Sequence, residues 1–316
     1  MCTECGCGLP GDKPPKISGH DHDHDDHPHG HDHSHDHCHG HDHCHGHGHH
    51  HHEHEGHGPK HSWLRNLMRA SGFKESPAPS SDPGAEGSEL KRQVEVHRSI
   101  LDKNIRQAER NRGFFRAHGL LVLNILSSPG SGKTALVRET IRALDKRLKT
   151  AVIVGDLETD NDARRLRETG AEVIQITTGT VCHLEAEMVA RAVKQLHLEG
   201  VQLLIIENVG NLVCPASYDL GEDLRVVLLS VTEGEDKPLK YPPMFQSARA
   251  LIVSKIDLAE VCEYDRNSSR ANLERLAPTA SVFELSAKTG RGMPEWCEYL
   301  VGEQKKLAAR DPLATT

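Results

Sequence analysis

The chain has 316 residues, a formal net charge of −8 with neutral histidines, and nine cysteines. An acidic balance without a basic stripe argues against nucleic acid as a partner, and no apolar run is long enough to insert in a membrane. The start, Met1-Cys2-Thr3-Glu4-Cys5, has neither the basic nor the apolar region of a signal peptide, so the odd set of cysteines is expected to be reduced and cytoplasmic, available to metal rather than to disulfides.

Composition divides the chain before any motif does. Of 25 histidines, 21 lie between His20 and His61; the others are His97, His118, His183 and His197. The first 88 or so residues hold too few large apolar side chains to offset the entropy of ordering, so disorder is expected there. The remainder, about 225 residues, suffices for one good-sized domain. Four segments follow: a cysteine motif at 1–8 (MCTECGCG), a histidine tract at 20–61, a flexible linker at 62–88, and a folded domain at 89–308.

In the first segment, Cys2, Cys5 and Cys7 form C-x-x-C-G-C. Three thiolates and the α-amino group can surround a square-planar Ni²⁺. The histidine tract is interrupted by Asp, Gly and Cys and has at most four consecutive His, which is unlike an added tag. Alternating neutral imidazoles, with Cys38 and Cys44, can make many weak Ni²⁺ or Zn²⁺ sites, so the tract reads as a nickel reservoir. The linker, with SPAPSSDPGAEGS, also carries a short apolar stretch at Trp63, Leu64, Leu67 and Met68.

From Glu89, apolar residues at Leu90, Val94, Ile100, Leu101, Ile105 and Ala108 recur at helical spacing as far as Gly119. Strands are expected at 120–126, 150–155, 172–176, 202–207, 224–231, 250–255 and 281–286, and helices at 133–147, 160–169, 183–197, 266–276 and 293–306. Near-continuous apolar strands alternating with helices predict an α/β fold of three layers, a parallel sheet covered on both faces.

The first strand runs into SSPGSGKT, Ser127 to Thr134, a P-loop pattern with Ser127 in place of the first Gly. Gly130, Ser131 and Gly132 let backbone amides face phosphate oxygens, and the helix N-terminus adds partial positive charge. Lys133 is expected to reach the β- and γ-phosphates and Thr134 to offer its hydroxyl to Mg²⁺. Downstream, Ser254-Lys255-Ile256-Asp257 resembles the N/T-K-x-D motif of GTPases, in which the Asp carboxylate reads guanine and the Lys stem packs on the base. Ser254 stands where Asn is usual. Ser286-Ala287-Lys288 matches the second guanine-side loop, so GTP is the expected nucleotide.

Carboxylates for Mg²⁺ or a water are sought in GDLETDND, with Asp156 first and Asp160 second. In IIENVGNLVC, Glu207 and Gly210 imitate the D-x-x-G switch, and Gly210 can give its amide to the γ-phosphate. Solvated strand-end carboxylates are the plainer reading of Asp156 and Glu207. Cys182 and His183 sit where a loop enters an expected helix, which favours a thiolate. Cys214 lies four residues past Gly210. Two thiolates and an imidazole suit Zn²⁺ or Ni²⁺, although two unrelated buried cysteines would leave the same trace. Cys262 and Cys297 read as ordinary thiols.

Taken together, MCTECGCG, NRGFFRAHGLLVLNILSSPGSGKTALV, GDLETDND, TVCHLEA, ENVGNLVCP and SKIDL resemble, in order, the nickel-inserting GTPases of hydrogenase maturation, the HypB family. The resemblance covers about 90–305 and the N-terminal motif. It implies a P-loop NTPase domain of the SIMIBI type and a GTP-dependent homodimer with a metal site at Cys182, His183 and Cys214 near the dimer interface. Lys133 and Asp156 are expected to be catalytic in GTP hydrolysis to GDP, and turnover is expected to be slow because the chain shows no obvious catalytic Gln or arginine finger. The resemblance also implies a high-affinity nickel site at Cys2, Cys5 and Cys7, a HypA-type nickel chaperone as partner, and the hydrogenase large-subunit precursor as recipient. A passive nickel or zinc store, and a urease-type nickel-insertion GTPase, are the alternatives.

Overall fold

A computed structural model describes residues 16–18, 83–157 and 160–310. The cysteine motif, the histidine tract and most of the linker lie outside the described residues, as do the expectations attached to them. Glu158 and Thr159 of GDLETDND lie outside as well.

The first long element, helix α1 (Pro83–Ala117), begins six residues before the boundary read from the sequence. The apolar run after it forms the central strand β2 (Leu121–Ser127), whose seven residues are all buried. The other strands are β1 (Lys16–Ser18), β3 (Thr150–Asp156), β4 (Glu172–Thr177), β5 (Leu203–Glu207), β6 (Leu224–Ser230), β7 (Ala250–Ser254) and β8 (Ser281–Glu284). They form one sheet in the order β1-β4-β3-β5-β2-β6-β7-β8. Every pairing is parallel except β1 with β4, where Ile17 faces Ile176. The seven strands read from sequence are all present; β1, three residues long, carries no such signal.

Side chains alternate between the faces of a strand, and β2 shows the consequence. Leu121, Leu123 and Ile125 pack under helices α2 (Lys133–Leu144), α3 (Asn161–Arg167) and α8 (Met293–Arg310). Leu120 and Val122 face α1 and α4 (Ala186–Val193) on the other side. Further along, that second face is closed by α6 (Pro242–Gln246) and α7 (Arg266–Leu276), after the short α5 (Lys237–Lys240). The result is the three-layer parallel α/β architecture expected of a P-loop NTPase.

Two helices start or stop where the sequence does not say. The helix expected from 183 begins at Ala186; Asn208 Oδ1 accepts from the Leu184 amide at 3.2 Å, and Asn104 Oδ1 caps the first-turn amide of Ala186 at 2.8 Å. Cys182 and His183 therefore lie in a loop, not in a first helical turn. The helix expected from 133 to 147 ends at Leu144 and tightens into a 3₁₀ turn.

Trp296 anchors α8: it is fully buried against Phe283 and Tyr299 and donates Nε1 to Thr140 Oγ1 of α2 at 3.0 Å. Trp296→Ala removes both the packing and the hydrogen bond. It is expected to lower unfolding free energy by about 3–5 kcal/mol, read from the urea midpoint at unchanged slope.

Candidate functional site

The P-loop turns from β2 into α2 with φ of +74° at Gly130 and +98° at Gly132, backbone conformations that favour glycine. Lys133 folds back so that Nζ donates to Ser127 Oγ at 3.1 Å. Ser127, in place of the pattern's Gly, is thus the acceptor that parks the lysine. Burial lowers the Lys133 pKa, opposed chiefly by the charge of Glu207.

Glu207, at the end of β5 beside β2, is 2% exposed and accepts from the Thr134 hydroxyl at 2.7 Å. Its second oxygen, Oε2, has no hydrogen-bond partner. Burial pushes the carboxyl up to about 7, with Lys133 and the Thr134 hydroxyl pulling the other way. A buried acid with an unsatisfied oxygen beside a hydroxyl fits a hard divalent cation, for which oxygen is the preferred ligand.

Above these residues opens a cavity of about 430 Å³, walled by Asp156, Asp162, Arg165 and Glu207–Gly210. Gly210 has no room for a side chain: a Cβ would lie 3.0 Å from the Pro129 Cα, so the switch segment touches the P-loop backbone. Of the two carboxylates expected from GDLETDND, Asp156 lines this cavity. Asp160 does not; it sits exposed at the start of α3, and Asp162 takes the inward place. The order of acids within an acidic run cannot tell which faces in, because α3 starts only at Asn161.

A second cavity of about 230 Å³ adjoins the first across Gly132 and Ala135 and is lined by Ser131, Lys255, Asp257, Ser286, Ala287 and Lys288. Lys255 has φ +58° and donates Nζ to the Gly130 carbonyl at 2.6 Å. Ser254, where Asn is usual, donates its hydroxyl to the Ser131 carbonyl at 2.8 Å. The serine thereby ties the end of β7 to the P-loop. Sharing Gly132 and Ala135, the two cavities are taken together as one trough.

Cys182, His183 and Cys214 meet on the far side of the switch segment, with one ligand atom from each lying within 4.8 Å of the others. His183 is 6% exposed, stacks on Tyr218 at 3.9 Å between ring centroids, and has no hydrogen-bond partner on either ring nitrogen. Glu185 Oε1 stands 3.9 Å from its Nε2. Burial lowers the imidazole pKa to about 4, which keeps the ring neutral and its lone pair available. Soft thiolates and a neutral imidazole suit Zn²⁺ or Ni²⁺. Cys262 is exposed, and Cys297 is buried with its thiol pushed up to about 11; neither joins the cluster.

Sequence reasoning missed what connects the two sites. Asn208, 1% exposed and next to Glu207, accepts from the Leu184 amide at 3.2 Å and from its neighbour Val209 at 2.9 Å, and donates to Asn124 Oδ1 at 3.2 Å. Asn124 in turn donates to Glu222 at 3.2 Å. Asn211 reaches the Cys182 carbonyl at 3.4 Å. The available signal was an Asn inside LLVLNIL, a polar group that an apolar strand tolerates only when it is paired.

The family described as "CobW/HypB/UreG, nucleotide-binding domain" matches residues 121–284. The chain is 50% identical to the hydrogenase maturation factor HypB of Escherichia coli K12, over 68% of this chain and 74% of that protein. The chain belongs to the HypB family of hydrogenase maturation factors. The HypB factor of Azotobacter chroococcum is 47% identical over 75% of this chain and 77% of its own length. Among solved structures, HypB from Helicobacter pylori in complex with nickel is similar with a TM-score of 0.63 and 43% identity, covering 65% of this chain and 96% of that one. The family is one of nucleotide-hydrolysing P-loop proteins. Among the described residues no helix is long and apolar enough to cross a membrane.

Asn208→Ala leaves the Leu184 amide and the Asn124 amide oxygen without their partner. It is expected to cost about 1–3 kcal/mol of stability, measured by urea unfolding with Asn124→Ala as a second variant on the same ladder.

Proposed function

We propose that this chain is a GTP-hydrolysing nickel metallochaperone that binds nickel and delivers it for insertion into the [NiFe]-hydrogenase active site, working as a homodimer in the cytoplasm. The observation that carries the reading is the joining of two sites by one short segment. Glu207 and Gly210 line the phosphate cavity, Cys214 belongs to the metal cluster, and Asn208 holds the loop that carries His183. The nickel complex of the Helicobacter pylori relative supports nickel as the cargo.

In this reading Asp257 accepts from the guanine N1–H and amino group, the Lys255 stem lies on the base, and Ser286-Ala287-Lys288 closes the base cavity. Lys133 leaves Ser127 to reach the β- and γ-phosphates. Mg²⁺ would be held by the Thr134 hydroxyl and Glu207, with Asp156 in reach through water, and when bound supplies charge neutralisation for phosphoryl transfer. The Gly210 amide turns to the γ-phosphate. Because Gly210 presses on Pro129, that turn moves Cys214 and changes the metal site. Hydrolysis reverses it, and the metal passes on. Cys2, Cys5 and Cys7 are read as the high-affinity nickel site, the histidine tract as its reservoir, a HypA-type chaperone and the large-subunit precursor as partners, and Zn²⁺ as a second metal for the Cys182 cluster. Slow turnover is expected of the chain alone.

GTP hydrolysis is expected to disappear in Lys133→Ala and to change when Ni²⁺ is added to the unaltered chain, both followed by phosphate release. Equal release from the two proteins would exclude the P-loop as the catalytic site. In a chain with Cys2, Cys5 and Cys7 changed to Ser, Ni²⁺ affinity is expected to differ between GDP and a non-hydrolysable GTP analogue. The thiolate-to-nickel absorption is expected to be lost in Cys214→Ser, and equal affinities in the two nucleotide states would refute the coupling.

A further inference from the structure

His183 has two ring nitrogens, and a metal takes one of them. The ring is 6% exposed, and neither nitrogen has a hydrogen-bond partner. When one nitrogen of a neutral imidazole gives its lone pair to a cation, the other carries the proton. A buried N–H then needs an acceptor inside the protein.

One carboxylate lies close to the ring. It is that of Glu185, with Oε1 3.9 Å from His183 Nε2. The distance is about 1 Å beyond a hydrogen bond, a gap that rotation within the partly exposed Glu185 side chain closes. The imidazole plane is held meanwhile by Tyr218, whose ring is 3.9 Å away between centroids.

Glu185 has no other short-range polar partner among the described residues. It is the N-cap of α4, a position that favours Ser, Thr, Asp or Asn, and its side chain makes no capping hydrogen bond. The amide of Ala186 is served instead by Asn104 Oδ1 at 2.8 Å. The charge of Lys103 on α1 is felt at the carboxylate, but the two make no ion pair. A half-buried acid at a helix start, relieved of capping, is thus left facing the one ring whose nitrogens are unsatisfied.

We infer that Glu185 is the positioning residue of the metal site: its carboxylate accepts the Nε2–H of His183 and leaves Nδ1 for the metal held with Cys182 and Cys214. The inference rests on the proposal above that these three residues hold a metal. Glu185 is not itself a ligand. A carboxylate behind a metal-bound imidazole fixes the tautomer and the ring orientation and makes the ligating nitrogen more basic. Its effect on the metal therefore passes through His183.

The test uses the full-length chain with Cys2, Cys5, Cys7, Cys38 and Cys44 changed to Ser, so that thiolate-to-nickel absorption reports on Cys182 and Cys214. Ni²⁺ affinity is read from that absorption in competition with a chelator. Glu185→Ala is expected to weaken binding about 10–100-fold. Glu185→Gln keeps an acceptor of the same reach without the charge and is expected to lose less. Both variants are expected to keep the melting temperature of the metal-free chain, because the side chain caps nothing. In a His183→Ala background, which keeps both thiolates, Glu185→Ala is expected to change the affinity by no more than about twofold. The inference is overturned if Glu185→Ala binds Ni²⁺ as the unsubstituted Glu does, or if the Gln variant loses as much as the Ala variant. It is also overturned if Glu185→Ala still costs about tenfold without His183, as a direct ligand or a through-space charge would. Cys214→Ser separates the two levels. Absorption that survives in it removes the metal site and this inference together, whereas absorption lost in it beside an unchanged Glu185→Ala removes the role of Glu185 alone.

Discussion

A carboxamide buried among apolar strands must find its hydrogen bonds inside the protein, and Asn208 finds them in two directions. One reaches across to Asn124 on the central strand; the other holds the amide of Leu184, next to His183. Because leaving either group unpaired costs more than a hydrogen bond normally contributes, the strand end that carries Glu207 and the loop that carries the metal cluster are placed together. Asn104 and Asn111 of α1 act similarly from the outside. They bond the Ala186 amide and carbonyl and the carbonyls of Asp219 and Leu220, so both flanks of the cluster hang on one helix.

The phosphate site stores a different kind of constraint. Lys133 and Glu207 are buried close to one another, and burial acts against the charged form of each. Charges withdrawn from water are tolerated only with partners. In the structure these partners are local, Ser127 for the lysine and Thr134 for the acid. The nucleotide phosphates and divalent cation proposed above would give the same groups further partners. The metal cluster has the same logic with softer atoms: a neutral, unbonded imidazole held beside two thiols.

Much of the trough was legible along the chain because P-loop, Ser254-Lys255-Ile256-Asp257 and Ser286-Ala287-Lys288 are local motifs, each at the end of an apolar strand. Where the structure departs from the reading, a distant side chain intervenes. Asp162 rather than Asp160 enters the phosphate cavity because α3 begins late. Cys182 lies in the loop before α4, where Asn208 and Asn104 supply the acceptors for the Leu184 and Ala186 amides. No local pattern reveals an amide borrowed from 24 or 82 positions away.

The sequence by itself determined the layers, the seven parallel strands and the position of the P-loop between β2 and α2, since these follow from periodicity and from glycine and lysine placed at a strand end. Tertiary structure alone decided that Cys182, His183 and Cys214 converge and that Ser127 and Ser254 brace the P-loop. Those are contacts between segments far apart in the chain. Their existence depends on strand order and on which buried polar group reaches which partner, and hydrophobic pattern does not encode either.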